Sequence, residues 1–299
     1  MKRCLYVLAA MLLVALAAAP ATAYDQPSVN LGFTSFLDGG PPAGPGWYFA
    51  EYVQYYTADK LVDGPPGDHE VNAWISLNQV LYQSNQPILW GGTWGLDVIV
   101  PVVSLDTDSA IITDNGSGLG DVLVGPYLQW VTMSEAGPPK FMQRVELQML
   151  LPTGKYDSTA DLNPGSNFFS FNPYWSGTYF FSPKLTASCR LHYLWNAENN
   201  DTNHKAGQAV HADFAAAYEF VPNHLRAGVN GYYFKQISSS EDSGVTTAGD
   251  PKEQVFGIGP GLLYSFSQDN HLFCNLYFET GAENRSEGTR LNLRFVHHF

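Results

Sequence analysis

From residue 47 to the end of the chain, runs of about ten residues carry an apolar side chain at every second position. Val71, Ala73, Ile75, Leu77 and Leu81 alternate with Asn72, Ser76 and Asn78. Trp90, Trp94, Leu96, Val98 and Val100 alternate with Thr93 and Asp97, and Val145, Leu147, Met149 and Leu151 with Arg144, Glu146 and Gln148. Later, Leu185, Ala187, Cys189, Leu191, Tyr193 and Trp195 alternate with Lys184, Ser188, Arg190 and His192. Val210, Ala212, Phe214, Ala216, Tyr218 and Phe220 alternate with His211, Asp213 and Glu219. A period of two puts each set on one side of an extended chain, whereas a helix would scatter the charges around its axis. The last nine residues, LNLRFVHHF, keep the alternation and end on Phe299.

Twelve such segments are predicted, near residues 47–57, 71–82, 89–103, 119–130, 141–151, 167–181, 184–195, 206–220, 225–236, 254–266, 271–280 and 289–299. Short connections alternate with longer polar ones. Short turns and long loops on opposite rims are the mark of a transmembrane antiparallel up-and-down β-barrel, and an even strand number puts both termini on the short-turn, periplasmic side. Aromatic residues fall at two levels. Trp90, Trp130, Phe141, Tyr179, Phe181, Tyr218, Phe220, Tyr264, Phe266 and Phe299 mark the inner rim, and Phe169, Tyr193, Trp195, Tyr233 and Phe278 the outer. Rings with a polar tip favour headgroup depth, and a soluble sandwich has no need of two such levels. The turn at Gly137, Pro138 and Pro139 is longer than its peers, and Pro101, Pro126, Pro173 and Pro260 fall inside predicted strands, where bulges are expected.

Composition fits a chain whose solvent is lipid. It is 45% hydrophobic and 14% aromatic but only 14% charged, against a usual charged share of about 25%. Residues 1–23 have a basic start at Lys2 and Arg3, an apolar run and a small-residue exit at Ala21-Thr22-Ala23, which predicts an export signal. Residues 24–46, rich in Pro and Gly, are expected to form either a lumen plug or a periplasmic tail, and residues 47–299 the barrel. The formal charge of −13 argues against a nucleic-acid partner. Cys189 and Cys274 are too few for a disulfide framework.

Four runs resemble an outer-membrane family named for the meta pathway of phenol degradation: residues 55–61 (YYTADKL), 118–130 (GLGDVLVGPYLQW), 151–156 (LPTGKY) and 163–175 (NPGSNFFSFNPYW). The resemblance implies an exported transporter-like barrel linked to the breakdown of aromatic compounds, and it implies no catalytic residues.

The alternation also predicts which side chains enter the lumen. Asp97, Arg144, Glu146, Tyr174, Arg190, His192, His211, Asp213, Arg226, Tyr232, Glu279, Arg290 and Arg294 are the candidates, with Asp121, Glu219, Trp74, Tyr127, Phe168, Phe180, Phe234, Phe273 and Tyr277 facing the same way. Arg190 and His192 should neighbour His211 and Asp213, and Glu279 should face Arg290. A barrel of about twelve strands leaves an intermediate bore, so these groups either hold the wall together or form an aromatic track with arginines that orient a solute. No cofactor or metal is expected, because the acidic loop clusters lack the spacing of a calcium loop. The expected partners are membrane lipid and lipopolysaccharide, a small hydrophobic or aromatic solute, and the outer-membrane assembly machinery, which would read the last strand ending in Phe299. A surface hydrolase built on Asp106, Asp108, His211 and Asp213, or an adhesive barrel without transport, are the competing readings.

Overall fold

The computed structural model describes residues 26–299 apart from positions 28, 30, 41–42, 65, 136–138 and 248; the expected signal, Gly137 and Pro138 lie outside the described residues. Twelve strands form the wall: β1 (Gly46–Leu61), β2 (His69–Pro87), β3 (Thr93–Ser109), β4 (Ser117–Leu119 and Val122–Met133), β5 (Pro139–Glu146 and Met149–Leu151) and β6 (Ser170–Phe171 and Tyr174–Phe180), followed by β7 (Leu185–Asn196), β8 (Ala209–Val221), β9 (Leu225–Gln236), β10 (Gln254–Ser265), β11 (Asn270–Glu283) and β12 (Ser286–His298). Each pairs antiparallel with the next, and β1 pairs with β12 from Tyr48↔His298 to Leu61↔Ser286. Closure leaves no strand edge, the condition for placing a sheet in hydrocarbon. A small sheet of His204–Lys205, Glu241–Asp242 and Val245–Thr246 ties two long loops together on the far rim.

The in-strand prolines sit where the ladders are interrupted. Strands β4, β5 and β6 break at positions 120–121, 147–148 and 172–173. At these breaks the carbonyls of Pro101, Pro126 and Pro173 accept from the N–H groups of Gly120 (3.0 Å), Leu147 (3.0 Å) and Tyr193 (3.1 Å). Each proline therefore keeps its acceptor in use, while the irregularity removes the need for its missing donor. Between the β10–β11 pairs Ile258↔Phe278 and Gly261↔Asn275 the ladder lapses, and Pro260 lies in that gap.

The aromatic girdle at the short-turn rim is built from a repeated motif. Strands β6, β8, β10 and β12 end in Tyr179/Phe181, Tyr218/Phe220, Tyr264/Phe266 and His297/Phe299, each an edge-on ring pair with centroids 4.6–5.2 Å apart. Trp90 is an exception to the predicted strand: it lies in a turn (Leu89–Gly91) with φ 51°, almost fully exposed.

Strand β2 corrects the sequence reading of faces. Val71, Ala73, Leu77 and Leu81 are buried toward the lumen, while Trp74, expected inside, is 55% exposed on the outer surface beside Val80. Lumen and lipid both accept apolar side chains, so alternation alone does not say which stripe faces which. The deciding partner is the segment at residues 31–38, whose Phe33 and Phe36 pack into one cluster with Leu77, Leu81, Tyr52 and Ile99.

Candidate solute pathway in the lumen

Inward positions come from alternate residues of neighbouring strands, so the registers decide who meets whom. Arg190 stands opposite Asp213 and His192 opposite His211 across β7–β8. The two imidazoles stack at 3.9 Å, and His211 Nε2 lies 3.0 Å from Asn172 Oδ1. Arg190, however, does not pair with Asp213. Its Nε and Nη2 donate to the two carboxylate oxygens of Asp38 at 2.8 and 2.7 Å, a bidentate bond to the amino-terminal segment. Asp213 instead accepts the Gly32 N–H (2.9 Å) and the Thr34 hydroxyl (2.7 Å) of that segment. Tyr277 Oη and Asn292 Nδ2 both donate to the Gly32 carbonyl at 2.8 Å, and Asn275 Nδ2 donates to Ser35 Oγ at 3.1 Å. The Thr178 hydroxyl donates to the Asp38 carbonyl, so six inward side chains hold residues 32–38.

Burial pulls the Asp38 carboxyl upward, but the Arg190 guanidinium beside it outweighs this and holds it below the usual carboxylate range.

Most of the other candidates form contacts within the wall, although Asp97 Oδ1, Arg144 Nε and Glu146 Oε1 are buried there without a hydrogen-bond partner among the described residues. Tyr174 donates to Glu146 at 2.5 Å, and Arg144 donates to Gln129 Oε1 at 3.0 Å. Glu279 accepts from Tyr232 (2.6 Å) and Tyr56 (2.9 Å) and lies 3.4 Å from Arg290, the pairing predicted across the last hairpin. Arg226 pairs with Glu219 at 3.2 Å. Asp97 accepts from Gln79 at 2.7 Å. Several guanidinium planes also lie over rings: Arg144 over Tyr127 (3.9 Å), Arg190 over Tyr174 (4.1 Å) and Arg294 over Phe273 (3.6 Å). Stacking of this kind keeps a cation in an apolar bore without a carboxylate for each charge.

One cavity of about 600 Å³ occupies the lumen on the short-turn side. Asp97, Arg144, Tyr174, Arg190, Arg226 and Arg294 line it, and it reaches the rim at Asn223 and Gln268. Its roof is the segment itself, through Phe33, Phe36 and Asp38. The remaining candidates, Glu146, His192, His211, Asp213, Tyr232, Glu279 and Arg290, lie outside the lining, packed in the wall or beyond the segment. Beyond it the bore is filled by Leu31, Tyr232, Phe234 and Tyr277. Asp38, Phe33 and Phe36 were not among the sequence candidates. The signal that could have found them is the apolar cluster Leu31, Phe33, Phe36 and Leu37 followed by Asp38 in an otherwise Pro/Gly-rich stretch.

The hydrolase constellation is not assembled, because Asp106 and Asp108 are exposed on the outer face of β3 whereas His211 and Asp213 are buried inside. Among the described residues no group of three or more His, Cys, Asp or Glu is placed to hold a metal ion. Asp121 clamps the loop at residues 152–169, accepting from Gly154 N (2.9 Å) and Ser166 N (2.7 Å).

The family model described as "Putative MetA-pathway of phenol degradation" matches residues 52–295. Among solved structures, the COG4313 outer membrane channel from Pseudomonas putida F1 is similar over 91% of this chain and all of its own, with 18% identity and a TM-score of 0.75. The β-domain of the Bordetella autotransporter BrkA matches over 86% of this chain and all of its own, with 9% identity and a TM-score of 0.50. No curated protein matches the sequence.

Proposed function

Because this chain belongs to the family described as "Putative MetA-pathway of phenol degradation", we propose that it is an outer-membrane channel for small hydrophobic or aromatic compounds, crossed by passive diffusion through the lumen. The observation that carries this is the 600 Å³ cavity, whose walls combine apolar and aromatic side chains with a few fixed polar groups. That size and lining are those of small-molecule sites. The Pseudomonas putida protein of the same architecture is an outer membrane channel, which supports the same class here. Apolar rings lower the cost of taking a flat solute out of water, and Arg144, Arg190 and Arg294 would orient a hydroxyl or carboxylate on it.

In this reading residues 31–38 are a plug, because they fill the space between cavity and outer rim. Both termini lie in the periplasm, the long loops meet lipopolysaccharide, and the assembly machinery reads β12 and its Phe299. The test is flux: purified protein in liposomes should speed the entry of phenol over protein-free vesicles, more so once the plug is released. Equal rates from both the intact and the plug-released protein would remove the transport reading and leave an adhesive or structural barrel.

A further inference from the structure

Glu51 of β1 points away from the lumen, on the face that carries Trp47 and Val53. It lies midway between Trp47 and Tyr55, with Phe49 and Val53 on either side of it on the same face, and so within the apolar band. Its cross-strand neighbours are Phe295 on β12 and Asn78 on β2. Ser76 Oγ donates to Glu51 Oε1 at 2.6 Å, and Asn78 Nδ2 donates to Ser76 Oγ at 3.2 Å. Among the described residues Ser76 is the one hydrogen-bond donor to this carboxylate, and in hydrocarbon no water makes up the rest. By contrast β7, across the barrel, presents Leu185, Ala187, Cys189, Leu191 and Tyr193. An ionisable group turned to lipid is costly and in need of a partner.

We propose that this patch is the contact between two copies of the chain. All copies insert in the same direction, so a closed pair has its two-fold axis along the membrane normal, and residues meet only at equal depth. Glu51 and Asn78 meet this condition. They are register partners, and on tilted strands their heights differ by about 3 Å, within reach of flexible side chains. The patch is also self-complementary: an acceptor on β1 and an amide donor on β2 of one copy face the amide and the acceptor of the other. Ser76 and Asn78 are small beside the exposed Trp74 and Val80 that flank them, and this low spot lets two walls approach closely.

The test is disulfide trapping in native outer membranes, in a Cys189→Ser, Cys274→Ser background. Val53→Cys, beside the patch, should yield a cross-linked dimer at least ten-fold above Leu191→Cys on the far wall. Adding Glu51→Leu and Asn78→Leu should reduce the yield to the Leu191→Cys level, with heat-modifiable gel mobility confirming that the barrel still folds. Light scattering in lipid nanodiscs should report a dimer for the unmodified protein and a monomer for the double variant. Equal yields at the two walls, a dimer that survives the double substitution, a cross-linked species of another mass, or a monomer whose solute flux falls on Glu51→Leu would each overturn the proposal.

Discussion

Asp213 and Asp38 sit on either side of Arg190, and only one of them takes its charge. Asp38 forms the bidentate pair, while Asp213 spends its oxygens on the Gly32 N–H and the Thr34 hydroxyl. Hydrogen bonds to a buried carboxylate are worth about 1.5–3 kcal/mol each. Asp213→Ala should therefore weaken docking of residues 31–38 by about 3 kcal/mol, seen in planar bilayers as more frequent open events. Arg190→Ala should cost more, about 3–5 kcal/mol, because it leaves Asp38 buried without its counter-charge. The same pair sets a pH dependence. The Asp38 carboxyl is held below its ordinary value of 3.8, so its stabilisation is complete above that value and fades only as pH falls further. Protease cleavage within residues 31–38 should accordingly rise as pH falls below about 3.8; an unchanged rate there would show that the Asp38–Arg190 pair does not hold the segment.

The strands owe their fit to more than alternation. Tyr127 lies across Gly95, its register partner, and Tyr232 across Gly257, so close that a Cβ on either glycine would fall 2.1 or 2.4 Å from the ring. Each ring needs the bare backbone opposite it. Gly257→Val should force Tyr232 away from Glu279 and Arg290, costing about 1–3 kcal/mol as an overpacking; a lowered temperature for loss of heat-modifiable mobility would record it. The bulges of β4, β5 and β6 work similarly: they accommodate Pro101, Pro126 and Pro173 while leaving Asp121, Gln148 and Asn172 buried.

Seen whole, the barrel holds a vestibule on the short-turn side and a filled bore beyond it. Leu31, Phe33 and Phe36 are each almost fully buried, and burying such a side chain stabilises by about 1.5–3 kcal/mol. Passage through the lumen therefore requires displacement of this segment. Deleting residues 24–40 should raise conductance at least ten-fold in planar bilayers and speed phenol entry into liposomes; an unchanged conductance would show that Tyr232, Phe234 and Tyr277 close the bore on their own.

The sequence by itself determined the barrel, its twelve strands and most inward positions, because a period of two and the demand that every backbone group be paired in lipid leave few alternatives. It also brought Glu279 near Arg290, although the register sets Tyr277 opposite Arg290 and the ion pair runs diagonally across the hairpin. It left open the face of β2, the partner of Arg190 and the course of residues 31–38. Only the tertiary structure decided these. An apolar stripe is equally at home in lipid and against Phe33, and an inward arginine can be neutralised from anywhere in the chain that reaches it.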